Sequence, residues 1–131
     1  MIKIILTSLF VDNQDKALKF YTEVLGFVKK TEFPAGAYKW LTVVSQDNPN
    51  GVELTLEPNA NPISLTYQKG LLDSGIPATA FGVDDIEKEY ERLQNLGVVF
   101  KTTPMQTGPV TIAVFEDTCG NLIQLVQKNK A

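Results

Sequence analysis

The chain has 131 residues, of which 44% are hydrophobic and 21% charged, which fits one globular domain with a sizeable core. Its 12 basic and 15 acidic residues give a formal net charge of −3, so no basic surface is expected for nucleic acid. No apolar run approaches the roughly 20 residues of a membrane span, and the first residues lack the pattern of a signal peptide. We therefore expect a cytoplasmic protein. The single cysteine cannot form an internal disulfide, which agrees with a reducing compartment.

The absence of histidine narrows the chemistry further. Histidine is the usual general acid or base near neutral pH, the central member of Ser-His-Asp triads and the commonest metal ligand. Catalysis by any of these routes is therefore excluded.

The first half of the chain predicts the order βαβββ. Residues 3–11 are rich in β-branched and aromatic side chains and predict a strand. Asp12 or Asn13 can cap the helix that follows, whose apolar stripe ends before Gly26. Further strands are predicted at residues 27–33, 38–45 and 52–57.

The same order restarts after residues 58–77, a predicted linker with three of the seven prolines. A linker of this length without regular structure is uncommon, so we expect it to pack over another part of the chain. A strand is predicted at residues 78–83 and a helix capped by Asp84 or Asp85 and ended by Gly97. The remaining strands are predicted at residues 98–101, 110–116 and 122–127, with a loop at residues 104–109.

The two halves also match at their ends. The stretch VSQDNPNGVELTL resembles FEDTCGNLIQLV, so that Asp47 and Glu53 correspond to Asp117 and Gln124. We therefore predict an α+β fold of two βαβββ modules, residues 1–57 and 78–127, within one domain. Their mixed sheets are expected to curl around a shared cavity, which is a usual place for a small ligand.

Alternation within the strands indicates which side chains face that cavity. Glu53, with Thr55 and Glu57, points away from the apolar set that includes Leu54, and Gln124 lies opposite Ile123 and Leu125. Glu53 could anchor a ligand, act as a base, or simply pair with a lysine or water. Gln124 could orient a ligand, or its amide could simply be hydrogen-bonded within the sheet. The aromatic residues among the candidates could equally belong to the core. The candidate ligand-binding residues are Glu53, Gln124, Ser8, Phe10, Trp40 and Phe115.

Three stretches carry a family resemblance: FYTEVLGF, FGVDDIEKEYERLQNLGV and FEDTCGNLIQLV. Together they resemble the vicinal oxygen chelate superfamily, which includes glyoxalase I, extradiol dioxygenases and the bleomycin resistance proteins. The resemblance covers residues 4–126. It implies paired βαβββ modules and a homodimer. In the catalytic branches of the family it also implies a divalent metal held by the first and last strands of each module.

The four positions that the resemblance assigns to metal ligands are Leu6, Glu53, Ala78 and Gln124. Leu6 and Ala78 offer no lone pair, and one carboxylate with one amide cannot compete with water for a divalent cation. We therefore expect no metal or other cofactor, and no metal-dependent glyoxalase or dioxygenase activity.

These observations favour a metal-free protein that binds a small organic molecule in a partly aromatic cavity and acts by sequestration. A metal-independent isomerase or lyase with Glu53 as catalytic base is the main alternative. The third possibility is an interaction or sensor module, in which a surface matters more than the cavity. Replacement of Glu53 by Gln distinguishes the first two, because only an enzyme would lose turnover while keeping its ligand.

Overall fold

The structure, a computed structural model, describes residues 1–130 and divides into two compact units, with the boundary between Tyr67 and Gln68. Each unit contains one four-stranded mixed sheet, and the predicted α+β class with the order βαβββ in each unit is confirmed. No helix among the described residues is long and apolar enough to cross a membrane.

The first unit builds its sheet in the order β1-β4-β3-β2, with β1 parallel to β4 and the other pairs antiparallel. Asn13 caps the first helix by accepting a hydrogen bond from the Lys16 amide at 3.0 Å. One π-helical turn continues that helix before Gly26, at φ +89°, turns the chain. The elements are β1 Leu6–Val11, α1 Gln14–Lys19, the π-helical turn Phe20–Val24, β2 Val28–Ala35, β3 Tyr38–Val44 and β4 Glu53–Pro58.

The second unit repeats this arrangement in the order β5-β8-β7-β6, again with the first and last strands parallel. Asp85 caps the helix by accepting a hydrogen bond from the Lys88 amide at 3.1 Å. The elements from residue 62 onward are α2 Pro62–Asp73, β5 Thr79–Gly82, α3 Ile86–Asn95, β6 Met105–Thr107, β7 Val110–Glu116 and β8 Leu122–Lys128.

Each sheet buries one face, as alternation along its strands predicts. In the first unit this face consists of fully or nearly fully buried aliphatic residues on three strands: Leu9, Val11, Leu41, Val43, Leu54 and Leu56. In the second unit it contains Ala113, Phe115, Ile123 and Leu125, together with Ile86 and Leu93 of α3. On the opposite face of each sheet most side chains are exposed or half-buried, and these are the side chains available to a ligand.

The predicted strand at residues 98–101 is wrong, and so is the loop at residues 104–109. Phe100 makes only an isolated bridge with Phe115. The amides of Lys101 and Thr102 both donate to the Val114 carbonyl, while the Thr102 hydroxyl accepts from the Val114 amide at 2.9 Å. A side chain thus replaces a backbone partner and interrupts the ladder, and regular pairing begins only with β6.

The predicted linker, residues 58–77, contains helix α2. Asn61 starts the helix by accepting a hydrogen bond from the Ile63 amide at 2.9 Å, and Pro62 occupies the first turn, where its missing N–H costs nothing. The one buried side chain of this helix is Gln68. Because α2 lacks a buried apolar stripe, its sequence shows no helical period, and the start signal alone marks it.

Candidate functional site

The candidate site is built on the exposed face of the first sheet, around Glu53. Glu53 opens β4 and pairs with Leu6 of β1. On its other side, the fully buried Thr42 of β3 donates its hydroxyl to Glu53 Oε1 at 2.7 Å. The second carboxylate oxygen has no hydrogen-bond partner among residues 1–130. Glu53 is therefore a half-buried carboxylate with one oxygen held and the other available.

Beside Glu53, a row of hydroxyl side chains crosses all four strands. The strand register pairs Ser8 with Thr55, Thr55 with Thr42, and Thr42 with Thr31, which places all four on one face. Thr55 is buried, and its hydroxyl oxygen has no hydrogen-bond partner within the described chain. A buried polar group without a partner costs about 1–3 kcal/mol and is a feature of functional sites.

The next row on the same face, here called the aromatic row, consists of Phe10, Trp40 and Phe33. The rings of Phe33 and Trp40 stack with centroids 6.5 Å apart and remain 51% and 37% exposed. Tyr67 of α2 adds a fourth ring, which meets Phe10 edge-on at 6.3 Å and is 56% exposed. Such large rings are usually buried, so this surface is suited to a planar ligand.

The sheet opens at this end, because a side chain separates two of its strands. The pairs Thr42–Thr55 and Val43–Leu54 form the ladder between β3 and β4. Farther along, Gln14 of α1 donates to the carbonyls of Lys39 and Leu56 at 2.9 and 2.8 Å, and accepts from the Lys39 amide at 3.1 Å. Its amide thus replaces direct backbone pairing.

A cavity of about 720 Å³ lies at the same end of the unit, between the start of α1 and the β2–β3 hairpin. Lys39 ion-pairs there with Asp15 and Glu32. Hydrogen bonds from Lys29 and Lys39 hold the pKa of Glu32 below its ordinary value, and those to Asp15 and Glu32 raise the pKa of Lys39. Lysine side chains thus largely balance the carboxylates of this cavity, and neither Glu53 nor Thr55 lines the cavity.

The exposed face of the second sheet is much less polar. Gln124 lies between Ala80 of β5 and Val114 of β7. Around Gln124 this face is formed by small and aliphatic residues, Gly82, Ile112, Val126 and Met105, and the polar side chains of Thr107, Glu116 and Lys128 lie toward its ends. Gln124 thus supplies one amide in an apolar setting.

Phe115, predicted as a ligand-binding residue, lies on the other face. It pairs with Ile123, whereas Gln124 pairs with Val114, so successive side chains alternate away from each other. Phe115 is fully buried and its ring lies 5.5 Å from that of Phe100. It belongs to the core of the second unit, and its assignment to the ligand site was wrong.

The register of the predicted metal positions also needs correction. Counting back from the helix caps makes Ala78 the counterpart of Leu6. In the structure Leu6 pairs with Glu53, but the partner of Gln124 is Ala80. Ala78 precedes β5 and donates its amide to the Leu122 carbonyl at 2.8 Å. The count fails because β1 has two more residues between the site and its helix cap than β5 has.

The side chains at these positions do not fit a divalent metal. Glu53 faces Leu6 and Gln124 faces Ala80, and neither aliphatic partner can donate a lone pair. Among residues 1–130, no group of three or more His, Cys, Asp or Glu is placed to hold a metal ion. A hard cation needs several oxygen or nitrogen ligands, which these donors do not supply.

The closing motif DTCGN has a structural role. Asp117 is fully buried and accepts hydrogen bonds from the amides of Cys119 and Asn121 at 2.7 and 3.0 Å, and from Asn121 Nδ2 at 2.8 Å. Gln68 of α2 donates to the Cys119 carbonyl and to Asn121 Oδ1. Cys119 is buried in this network and forms no disulfide within residues 1–130.

Sequence reasoning missed two residues of the site. Thr42 orients Glu53, and its position on a strand of alternating polarity could have revealed it. Tyr67 lies in α2, which was predicted as a linker, and only the start signal of that helix could have drawn attention to it.

The chain was compared with known families and relatives. The family described as Glyoxalase/Bleomycin resistance protein/Dioxygenase superfamily matches residues 3–125. The uncharacterized protein YurT of Bacillus subtilis is 59% identical over 126 residues, covering 96% of this chain and 99% of YurT. A probable lactoylglutathione lyase of Synechocystis sp. is 31% identical over 130 residues, covering 92% of each.

Solved structures give a similar result. The crystal structure of UcmS2 superposes with a TM-score of 0.82 at 30% identity, covering 96% of this chain and 98% of that one. TnmS3, an antibiotic binding protein from Streptomyces sp. CB03234, superposes with a TM-score of 0.79 at 27% identity, covering 98% of each chain.

Proposed function

We propose that this chain, which belongs to the glyoxalase/bleomycin resistance protein/dioxygenase superfamily, binds a small organic molecule on the exposed face of its first sheet without a metal ion. The observation that carries the proposal is the pairing of Thr42 with Glu53 beside the buried, unpartnered hydroxyl of Thr55. Polar groups prepared in this way, next to exposed rings, are typical of a small-molecule site.

The face supplies two kinds of contact. Phe33 and Trp40 present stacked rings against which a planar ligand can lie. Ser8 and the available oxygen of Glu53 can then hydrogen-bond its polar substituents, and Phe10 with Tyr67 closes the surface at one end. Gln124, on the exposed face of the second sheet, is proposed separately as a position where an amide can donate to and accept from a ligand. The description of TnmS3 as an antibiotic binding protein supports a small organic ligand.

Trp40 provides a direct measurement, because it is the only tryptophan in the chain. A panel of planar aromatic antibiotics is titrated into the protein, and binding is followed by quenching of Trp40 fluorescence and by calorimetry. We expect at least one compound to bind with micromolar or lower Kd. Failure of every compound to quench Trp40 would count against the proposal.

Replacing Thr42 by Val tests the polar part of the site. The change keeps the shape but removes the hydroxyl that holds Glu53, so affinity for the bound compound should fall about fivefold to tenfold. Thr111→Val is the matched control, since Thr111 also donates its hydroxyl to a side-chain oxygen at 2.7 Å, in the second unit. Equal losses in the two variants would show that Glu53, as held by Thr42, does not contact the ligand.

A metal-independent lyase or isomerase is the second candidate. Several relatives, including the Synechocystis protein, are named lactoylglutathione lyases, and the available oxygen of Glu53 could accept a proton. Formation of lactoylglutathione is measured with and without added divalent cations, for the native chain and for Glu53→Gln. We expect no turnover in any arm. Turnover that disappears in Glu53→Gln, while ligand binding is retained, would establish the enzyme instead.

The proposal extends to assembly and location. The first residues expose large apolar side chains, Met1, Ile2, Ile4 and Ile5, which suit burial against a second copy in a homodimer. Cys119 is buried and forms no disulfide in the described part of the chain, which agrees with a reducing compartment such as the cytoplasm. Light scattering on the purified protein tests the homodimer, for which the expected mass is twice the 14.5 kDa of one chain.

A further inference from the structure

A second carboxylate, Glu57, lies within the aromatic row. It pairs directly with Phe10 of β1 and belongs to the same face as Glu53 and Thr55. The ladder between β3 and β4 ends at the pair Thr42–Thr55, so Trp40, two residues beyond Thr42, lies on the same face as Glu57 but across the gap that Gln14 fills. Glu57 therefore has the Phe10 ring on one neighbouring strand and the exposed Trp40 ring on the other, across that gap.

No cation balances Glu57 within the described chain. None of the six ion pairs of residues 1–130 involves it, and its carboxylate accepts no hydrogen bond there. The nearby carboxylates Asp15 and Glu32 are in contrast both paired with Lys39. Glu57 is half-buried, so its unbalanced charge is only partly compensated by water.

Glu57 is also separate from Glu53. Four residues of extended strand place the two positions about 13 Å apart. Glu53 faces Leu6 and is held by Thr42, whereas Glu57 faces Phe10 near the gap that Gln14 fills. A single small ligand group cannot contact both carboxylates at once.

We propose that the aromatic row with Glu57 recognises an organic cation, such as a protonated amine on an aromatic ligand. This inference rests on the proposed small-molecule function and specifies the chemistry of its ligand. Ring faces attract cations through their negative quadrupole, and a carboxylate adds a charge-assisted hydrogen bond to an ammonium group. Aromatic rings around an unbalanced carboxylate thus favour a cationic ligand over a neutral or anionic one.

The test uses two probes of nearly the same shape, 1-naphthylmethylamine and 1-naphthalenemethanol. The amine is protonated at pH 7 and the alcohol is neutral, so only charge differs substantially. Binding is followed by the chemical shift of the single Trp40 indole N–H, in the full-length protein. We expect the amine to bind about tenfold more tightly than the alcohol, with a preference that weakens as salt is added.

Three variants locate the preference. Glu57→Gln should reduce it to less than threefold while the affinity for the alcohol stays unchanged. Glu53→Gln should keep the preference, and Glu87→Gln, which removes a charge from α3 of the second unit, should keep it as well. Circular dichroism confirms that each variant is folded.

The outcomes separate the two proposals. If both probes shift Trp40 with equal affinity, or if the preference survives in Glu57→Gln, the cation proposal is overturned and the small-molecule site remains. If neither probe perturbs Trp40 in the folded protein, the aromatic row does not bind such ligands and both proposals fail. A preference lost only in Glu53→Gln would transfer cation recognition to the other carboxylate and equally overturn the assignment to Glu57.

Discussion

The turns that lead into the last strand of each unit look alike in sequence but are held in different ways. Asp117 is fully buried and accepts three hydrogen bonds, and Gln68 braces the same turn from α2. Its counterpart Asp47 is exposed in a loop whose backbone bonds join Ser45, Asn48 and Gly51. A shared aspartate therefore marks the position of the turn, whereas burial decides whether that aspartate stabilises it.

The exposed faces of the two sheets differ in the same direction as their sequences. The first face carries two carboxylates, four hydroxyls and the aromatic row, whereas the second has Gln124 surrounded by small and aliphatic residues, with Thr107, Glu116 and Lys128 toward its ends. Repetition has thus preserved the scaffold and not the chemistry. The polar chemistry of the proposed ligand site is concentrated in the first unit.

Asp117→Ala is expected to cause the largest loss of stability and so tests most directly the difference between the two turns. The change leaves three buried donors without their acceptor, which should lower the free energy of unfolding by about 3 kcal/mol. Asp47→Ala is the matched control and should change it by less than about 0.5 kcal/mol. Urea denaturation of both variants measures the difference, and equal losses would contradict the assignment of Asp117 as the support of its turn.

A smaller effect is expected for Gly120→Ala in the same turn. Gly120 has φ +98°, and a Cβ there would lie 2.7 Å from Gln68 Nε2, so strain and a steric clash should together cost about 2 kcal/mol. Gly36→Ala, at φ +65° with open space around it, adds strain alone and should cost about 1 kcal/mol.

Thermal unfolding compares the two glycine variants. The double variant Gly120→Ala with Gln68→Ala should be less destabilised than the sum of the single changes, because the clash is removed. Strict additivity would mean that Gln68 does not restrict this turn.

The smallest effect concerns the charged hairpin of the first unit. Glu32 has a pKa below its ordinary value because Lys29 and Lys39 donate hydrogen bonds to it. Glu32 therefore stabilises the folded protein at pH values above its unfolded pKa, and this stabilisation is lost as the pH falls through the folded pKa. Lys39 has a raised pKa because it donates hydrogen bonds to Asp15 and Glu32. It therefore stabilises the folded protein at pH values below its unfolded pKa, and this stabilisation is lost as the pH rises through the folded pKa.

Lys39→Met should therefore destabilise the protein near neutral pH and less at acidic pH. The effect should be slight, because the side chains of Lys39 and Glu32 are partly exposed and water screens their charges. Denaturation curves from neutral to acidic pH test this. A difference between variant and native protein that grows on acidification would have the wrong sign.

The alternation of side chains and the helix caps were readable from the sequence because they are local. Two neighbouring residues were predicted as caps for each helix, and the second of each pair, Asn13 and Asp85, is the cap. The family resemblance assigned Leu6 and Glu53 to one group of positions, and the strand register pairs them directly. Which aromatic residues are core and which are exposed depends on the packing of distant elements, so Phe115 and Trp40 could not be distinguished. The register of Ala80 also escaped, because it depends on how many residues separate strand and helix.

The side chain of Gln14 gives evolution a way to change the spacing of β3 and β4. At the end of the first sheet nearest the aromatic row, the separation of β3 and β4 is set by the length of one side chain and not by direct backbone pairing. A relative with asparagine at this position would bring the strands closer, and one with an unrelated residue would lose the bridge. Exchange of one amino acid could therefore change the width of the surface without altering the topology of the fold.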